Sequence, residues 1–346
     1  MSAGRHPPLL LPALCPGYFP RPGAWRRQKG CAVGHAGAHP GAGGIDGHLR
    51  AALTRGTVRV FVTGATGFIG RHVIARLRHT PHEMTCLVRP GSRLEYLQSA
   101  GARLVFGDIL DREAVLAGMQ GHDAVVHLAA LYSFWERRPR RYYDVNVEGT
   151  RRVMECALQA GVSKVVLVST SLVYGVPPER PFREDTPAGR RLLSAYARSK
   201  YAGECIAWEL QRTAGLPLVV LYPGGVLGPG DVKASGQYVR QLVQRELPAR
   251  VFEDSVITWV HVRDVAEAII RVLEKPDTIG ERYLLGKERL SWGEFNRMVS
   301  EMAGVPLPRL VMPTPLVLAA SLLATAWAYL SGRPPIWQLA WDSIRT

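Results

Sequence analysis

Cysteine is scarce in this 346-residue chain, and its few thiols lie far apart. The five, at 15, 31, 86, 156 and 205, form no C-x-x-C pair and are odd in number. That argues against a disulfide framework and against zinc, so no metal site is expected. Reduced thiols in a cytoplasmic protein are the simple reading. Acidic residues are also few: 29 Asp and Glu stand against 43 Lys and Arg, a formal net charge of +14. Such an excess invites a nucleic-acid reading. The arginines, however, are spread along the chain, and the local cluster Arg137, Arg138, Arg140 and Arg141 falls close to a candidate active site. No nucleic-acid partner is expected, because a basic surface more often keeps a protein soluble or attracts anionic small molecules. Long apolar runs are missing with one near-exception, 316–330, bounded by Pro315 and Ser331-Gly332. It falls short of the roughly twenty residues that span a bilayer. It reads as a buried or groove-lining helix or, alternatively, as an interfacial helix in peripheral contact with a membrane.

Residues 1–57 differ from the rest. They are rich in Gly and Pro, hold seven Lys/Arg against one acid, Asp46, and show no sustained period. Such a segment buries too little apolar surface to offset its ordering entropy, so a disordered extension is expected. The apolar run at 9–14 is too short and Pro-broken for a signal-peptide core. A transit peptide and an extension translated from an upstream start, with the working protein beginning near Val58, are the other readings.

From Val58 short β-branched runs alternate with helix-length amphipathic stretches. Strands are predicted at 58–63, 83–88, 103–106, 123–128, 164–169 and 217–222, and helices at 68–79, 93–100, 111–119, 141–160 and 194–214. This alternation implies an α/β fold: a doubly wound parallel sheet of the Rossmann kind over 58–222. Beyond 222 the alternation weakens. Helices at 233–246, 264–274 and 291–303 mix with strands at 256–261 and 281–285. That part, 223–346, reads as a small α/β substrate lobe carrying the apolar helix. The chain stops inside what reads as another helix, so the lobe is expected to be incomplete.

The first strand runs into Thr63-Gly64-Ala65-Thr66-Gly67-Phe68-Ile69-Gly70, and a helix pattern follows at once. Gly64 allows the tight turn, Gly67 lets a pyrophosphate approach the backbone, and Gly70 lets helix and strand pack closely. The helix N-terminus offers free N–H groups and a positive dipole to phosphates. The second strand ends Cys86-Leu87-Val88-Arg89 with no acid to bond a ribose 2′-hydroxyl. A guanidinium there suits a 2′-phosphate, so NADP is preferred over NAD. The plain alternative is that Arg89 is a solvated loop charge.

Together with VFVTGATGFIG (60–70), the chain carries Gly107-Asp108, VVHLAA (125–130), NVEGT (146–150), STSLVYG (169–175), YARSK (196–200), YPGGVLGPGD (222–231) and WVHVRDVAEA (259–268). In this order the motifs resemble the extended short-chain dehydrogenase/reductases, also called the NAD-dependent epimerase/dehydratase family. The likeness covers about 58 to 346 and is closest to the dihydroflavonol-reductase-like branch, which includes proteins labelled hopanoid-associated sugar epimerases. The resemblance implies a nicotinamide dinucleotide held by Gly64, Thr66, Gly67, Phe68, Ile69, Gly70 and Arg89. Asp108 would bond the adenine, with Ile109 beside it. The Ala129-Ala130 backbone, Pro223, Tyr196 and Lys200 would line the nicotinamide side.

Tyr196 and Lys200 are four apart on a predicted helix and share a face. A phenol titrates near about 10, too high for an effective base at neutral pH. A neighbouring ammonium is expected to lower that value, so that Tyr196 can exchange a proton as hydride moves. The family's Ser/Thr position, which orients the substrate carbonyl, falls on Thr170, with Ser171 the alternative. Asn146 occupies a position that in relatives helps arrange a water-mediated proton relay. A second Y-x-x-x-K, Tyr283 to Lys287, follows a strand and is interrupted by Gly286, so the spacing alone proves little.

Two departures narrow the reaction. Sugar-nucleotide dehydratases of the family usually place Asp-Glu straight after the catalytic Thr; here stand Ser171 and Leu172. Sugar-nucleotide epimerases usually carry an Asn after the sixth strand; the matching position is Gly225. Both favour oxidation or reduction of a smaller or more apolar substrate. The loop 133–141 is expected to overhang the nicotinamide pocket, with Phe134 and Trp135 in apolar contact. Asp264 is expected to N-cap the helix 264–274. The leading expectation is an oxidoreductase acting on a ketone, aldehyde or alcohol. The alternatives are an NAD-dependent nucleotide-sugar epimerase, a non-catalytic NADP-binding sensor, and a membrane-associated enzyme acting on steroid-type or polyprenoid substrates. Partners are a small-molecule substrate and, as an open alternative, a second copy in a homodimer.

Overall fold

The computed structural model describes residues 56–177, 181–335 and 342. The expectations for residues 1–55 and for a further helix at the chain's end lie outside these, Asp342 apart. In chain order the strands are β1 (Arg59–Thr63), β2 (Glu83–Val88), β3 (Arg103–Phe106), β4 (Ala124–His127), β5 (Lys164–Val168), β6 (Leu218–Pro223), β7 (Gly225–Leu227), β8 (Val256–His261), β9 (Arg282–Leu285) and β10 (Glu288–Ser291). Seven of them form one parallel sheet in the order β3-β2-β1-β4-β5-β6-β9. The order reverses between β1 and β4, which makes their carboxyl ends a switch point and the place to look for a ligand.

The central strands are apolar throughout because both faces are covered. The Phe68–Leu77 and Val262–Glu274 helices pack on one face, in a core holding Val60, Val62, Val73, Ile74, Val265 and Ile269. On the other lie the Arg112–Met119, Gly149–Ala160 and Ala195–Ala214 helices, around Phe61, Val125, Met154, Val165 and Trp208. Lys164, at the start of β5, is fully buried. Its Nζ donates to the carbonyls of Val272 and Lys275 and to Thr278 Oγ1, so it closes the C-terminal end of the Val262–Glu274 helix.

Three elements differ from the sequence expectation. The strand expected at 281–285 in the lobe is β9, the seventh strand of the main sheet, paired parallel to β6. The Val262–Glu274 helix returns the chain to the core, so the smaller unit is interleaved with the first. That unit is the sheet β10-β8-β7 with the Ala234–Val243 and Trp292–Ala303 helices. The helix expected at 141–160 is broken into Arg140–Tyr143, a π turn at Asp144–Glu148, and Gly149–Ala160. Asp264 does not cap its helix: His261 is the N-cap and accepts from the Arg263 N–H, which leaves Asp264 in the first turn near the positive helix end.

Candidate active site

Between β1 and the Phe68–Leu77 helix the three glycines do different jobs. Gly64 has φ +76°, and a Cβ on it would stand 2.5 Å from the Ala129 nitrogen. A Cβ on Gly70 would stand 2.2 Å from the Gly64 carbonyl oxygen. Gly67 is the helix N-cap and offers no side-chain acceptor. The N–H groups that follow it, at Phe68, Ile69 and Gly70, therefore face outward uncapped, as a phosphate requires. A nicotinamide dinucleotide fits this cradle. Thr66 sits in the turn, and the Ala129-Ala130 segment follows β4 directly alongside.

The buried ends of the central strands are fixed by one histidine. Thr63 Oγ1 meets His127 Nδ1 at 2.7 Å, and His127 Nε2 meets Thr150 Oγ1 at 3.1 Å. Burial, reinforced by the Lys200 charge, pulls His127 down to about 3, so it stays neutral and structural. Arg89 lies exposed just past β2 and has no acidic partner among the described residues. Asp108 stands past β3, where its Oδ1 accepts from the Leu110 N–H at 3.0 Å, and Ile109 is buried against the position of Gly149. Pro223 closes β6, paired with Leu285.

Tyr196 is in the first turn of the Ala195–Ala214 helix, and Lys200 is one turn later; both are buried. The aromatic rings of Tyr132 and Phe134 stand edge-on to Tyr196, at 5.1 and 6.2 Å between centroids. Lys200 Nζ donates to the Val168 carbonyl at the end of β5, 2.9 Å away. Thr170 follows, and its Oγ1 accepts from the Leu172 N–H, leaving the hydroxyl hydrogen for a ligand. Ser171 is half-buried in the short helix Ser171–Tyr174 that Thr170 caps. Thr170 and Lys200 thus meet at the carboxyl end of β5, and Tyr196 lies one turn before Lys200 on the same helix. The other Y-x-x-x-K does not: Lys287 is exposed and paired with Glu288.

The electrostatics depart from the sequence argument. Burial pushes the Tyr196 phenol well above its usual range, with a smaller push from Tyr132. Lys200 does not offset this, because its ammonium is turned to Val168. Burial pulls Lys200 down to about 8, opposed in part by the Glu204 carboxylate. In this arrangement the phenol is held as the neutral, proton-bearing form.

Asn146 is buried in the π turn, which aims it into the protein. Its Oδ1 accepts from the Leu131 N–H at 2.7 Å, and its Nδ2 donates to the Leu131 carbonyl and to Ser199 Oγ. Both amide hydrogens are therefore spent on protein, so only an acceptor lone pair remains for the expected water relay. Ser199 Oγ in turn donates to the Tyr196 carbonyl, so Asn146 links the Ala195–Ala214 helix to the segment after β4. A Cβ on Gly203 would lie 2.2 Å from the Asn146 carbonyl oxygen, so the helix passes the π turn in backbone contact.

Sequence reasoning missed Glu204. It is buried, and its carboxylate accepts from Ser169 Oγ at 2.6 Å, Tyr222 at 2.5 Å and Trp208 Nε1 at 3.2 Å. The available signal was its spacing, four residues after Lys200 and eight after Tyr196, on the same helix face. Tyr132 and His127 were likewise not singled out. The loop 133–141 touches the site through Phe134, whose ring meets Tyr196; Tyr142, which donates to the Ser133 carbonyl, and the Glu136–Arg141 pair brace the loop itself.

Known proteins share this architecture. A protein of Synechocystis sp., provisionally named a dihydroflavonol 4-reductase, is 31% identical over 73% of this chain and 75% of its own length. The ceramide reductase of Caulobacter vibrioides is 30% identical over 81% of each chain. The crystal structure of gox2253 superposes with a TM-score of 0.71 at 32% identity, covering 82% of this chain and 86% of that one. The dTDP-glucose 4,6-dehydratase DesIV of Streptomyces venezuelae, solved with NAD and TYD bound, gives a TM-score of 0.64 at 28% identity over 72% and 82%. The profile of the NAD-dependent epimerase/dehydratase family matches residues 60–286. With its glycine turn after β1 and the Tyr196–Lys200 pair on one helix beside a Rossmann-like sheet, the chain belongs to that family and is an NAD(P)-dependent enzyme of it.

Proposed function

We propose that this enzyme prefers NADP and reduces a ketone or aldehyde, or oxidises the matching alcohol, with Tyr196 as the proton donor and acceptor. The observation that carries this reading is the buried Tyr196 phenol, held neutral against Tyr132 and Phe134, one helical turn before the Lys200 that reaches the end of β5. When bound, the dinucleotide supplies or takes up hydride at the substrate carbon. Thr170 donates its free hydroxyl hydrogen to the substrate oxygen and fixes its position. Tyr196 gives the proton that turns that oxygen into a hydroxyl, so C=O becomes CH–OH. Lys200, mostly charged near neutral pH, would hold the ribose hydroxyls. Tyr132 and Phe134 exclude water around the transfer. Phe68–Gly70 N–H groups would take the pyrophosphate, Asp108 the adenine and Arg89 a 2′-phosphate.

The nucleotide-sugar epimerase reading is disfavoured at Gly225. A Cβ there would stand 2.6 Å from the Trp259 ring, so Trp259 fills the space a side chain reaching for a sugar diphosphate would need. We further propose a cytoplasmic protein with peripheral membrane contact through the apolar helix, and a homodimer, to be sought by light scattering. The test is a panel of ketones and aldehydes with NADPH, followed by absorbance at the reduced-cofactor band. Net NADPH consumption supports the proposal. Interconversion of a sugar nucleotide with no net redox change refutes it.

A further inference from the structure

Helix Thr314–Ser331 has no charged residue, a mean hydropathy of 1.4, and only 17% of its residues buried. Its inward side is Val317, Ser321 and Ala328. Leu316, Leu323, Trp327 and Leu330 follow at helical spacing on the outside, with exposures of 60, 73, 65 and 84%. A contiguous apolar stripe of this size on a protein surface marks an interaction site.

Charge at both ends says what covers it. Arg309 is exposed before the helix and Arg333 after it. Gly332 lies against the Arg137 guanidinium, with its ideal Cβ 3.2 Å from Arg137 Cζ. Arg138 and Arg140 are exposed on the same loop. Arg140 and Arg141 have the acids Asp144 and Glu136, but Arg137, Arg138 and Arg333 have no acidic partner among the described residues. Pairing this face with a second copy would set arginine against arginine whichever way the helices ran. An anionic bilayer satisfies both features: acyl chains take the leucines, and headgroups take the arginines. With its small-residue side kept on the protein, the helix lies along the surface. Trp327 and Tyr329 suit the interface between chains and water.

The same helix borders the catalytic site. Tyr329 meets Trp135 at 6.2 Å between ring centroids, and the neighbouring Phe134 meets Tyr196 at 6.2 Å. An aromatic path thus joins the apolar stripe to the phenol.

We propose that helix Thr314–Ser331 and the arginines at its ends dock this enzyme on an anionic lipid surface with the mouth of the Tyr196 site toward the bilayer, so that the substrate is a lipid with its carbonyl or hydroxyl carbon near the headgroup level. The substrate half of this proposal rests on the reductase reading; the docking half does not.

The full chain is sedimented with phosphatidylcholine vesicles with and without phosphatidylglycerol. Binding is expected with phosphatidylglycerol, weakening with salt. The double variant Leu323→Glu/Leu330→Glu should bind at least about tenfold more weakly while keeping its melting temperature and NADPH affinity. Met302→Glu, a charge on another exposed apolar position, should bind as wild type. No sedimentation, binding unaffected by the double variant, or a dimer in solution that the double variant splits would each overturn the docking surface. For the substrate, NADPH oxidation is followed with a long-chain methyl ketone carried in the vesicles and with acetone. The double variant should lose at least about tenfold of the rate on the vesicle-borne ketone and keep its rate on acetone. Turnover of acetone but not of the vesicle-borne ketone would overturn the lipid substrate. Turnover of neither refutes the reductase reading, with docking still decided by sedimentation.

Discussion

Replacing Glu204 with glutamine should move the enzyme's pH profile down without dismantling the site. Glutamine keeps the volume and one oxygen for Tyr222 and Trp208, and its amide can donate to Ser169 Oγ. What is lost is charge assistance, about 1 kcal/mol for each of the two short bonds. The melting temperature should therefore fall by several degrees. The larger effect falls on Lys200, whose ammonium the carboxylate supports against burial. Side chains one turn apart are about 6 Å distant, and a unit charge there acts with about 3 kcal/mol at an effective dielectric near 20. One pH unit corresponds to about 1.4 kcal/mol. Removing the negative charge disfavours the ammonium, so Lys200 should give up its proton more than about one pH unit lower. The assay is the NADPH dissociation constant by fluorescence titration across the neutral-to-alkaline range. Wild-type affinity should weaken as pH rises through about 8, where Lys200 titrates, and Glu204→Gln should show the same loss at lower pH. If the melting temperature drops while the alkaline limb stays put, Glu204 is a packing partner and the electrostatic reasoning fails.

Lys200→Met should raise stability at neutral pH by about 2 kcal/mol, from about 3 for relieving the buried ammonium less about 1 for orphaning the Val168 carbonyl. Between about 8 and the unfolded value near 10.4 the unfolded chain binds more protons, so wild-type stability rises with pH there and is lost as pH falls through about 8; urea midpoints should show that slope in wild type and not in the variant. Gly70→Ala puts a methyl 2.2 Å from the Gly64 oxygen and 2.8 Å from Ala65 backbone. Overpacking against backbone should cost about 1–3 kcal/mol in chemical denaturation and weaken NADPH binding at least about tenfold. Arg89→Asp should shift the ratio of NADPH to NADH dissociation constants towards NADH, since an acid repels the 2′-phosphate and accepts from the hydroxyl; an unchanged ratio means Arg89 does not read that phosphate.

Six strands of the seven-stranded sheet were legible because they are runs such as KVVLV and RVFVT between helix periods, and their predicted bounds lie within one residue of their observed ends. What was not legible depends on tertiary contact. β9 joins β6 across a crossover of nearly sixty residues, and no local period announces which sheet a short strand will enter. β7 has three residues and β10 four, too few for an alternation. The π turn reads as helix because Tyr143, Val147 and Met154, four and seven residues apart, keep a helical pattern, and only the close approach of Gly203 shows why the chain widens there. At the site, motif spacing brought out Thr170, Tyr196 and Lys200, but spacing says nothing of where Lys200 Nζ points. Its bond to Val168 and the depth of Tyr196 reverse the expected direction for the phenol. The apolar helix was visible as composition; its outward face was not, since burial is a property of the folded chain.

The claim on which the account turns is that Tyr196 carries the transferred proton, and Tyr196→Phe tests it most directly. The ring contacts with Tyr132 and Phe134 survive the change, and only the hydroxyl is lost. Single-turnover hydride transfer from NADPH to a carbonyl substrate from the panel should slow by at least about 10²-fold, with NADPH affinity within a factor of about two of wild type. Near-native hydride transfer in Tyr196→Phe would mean that the proton comes from another group, and the assignment of the site would be wrong.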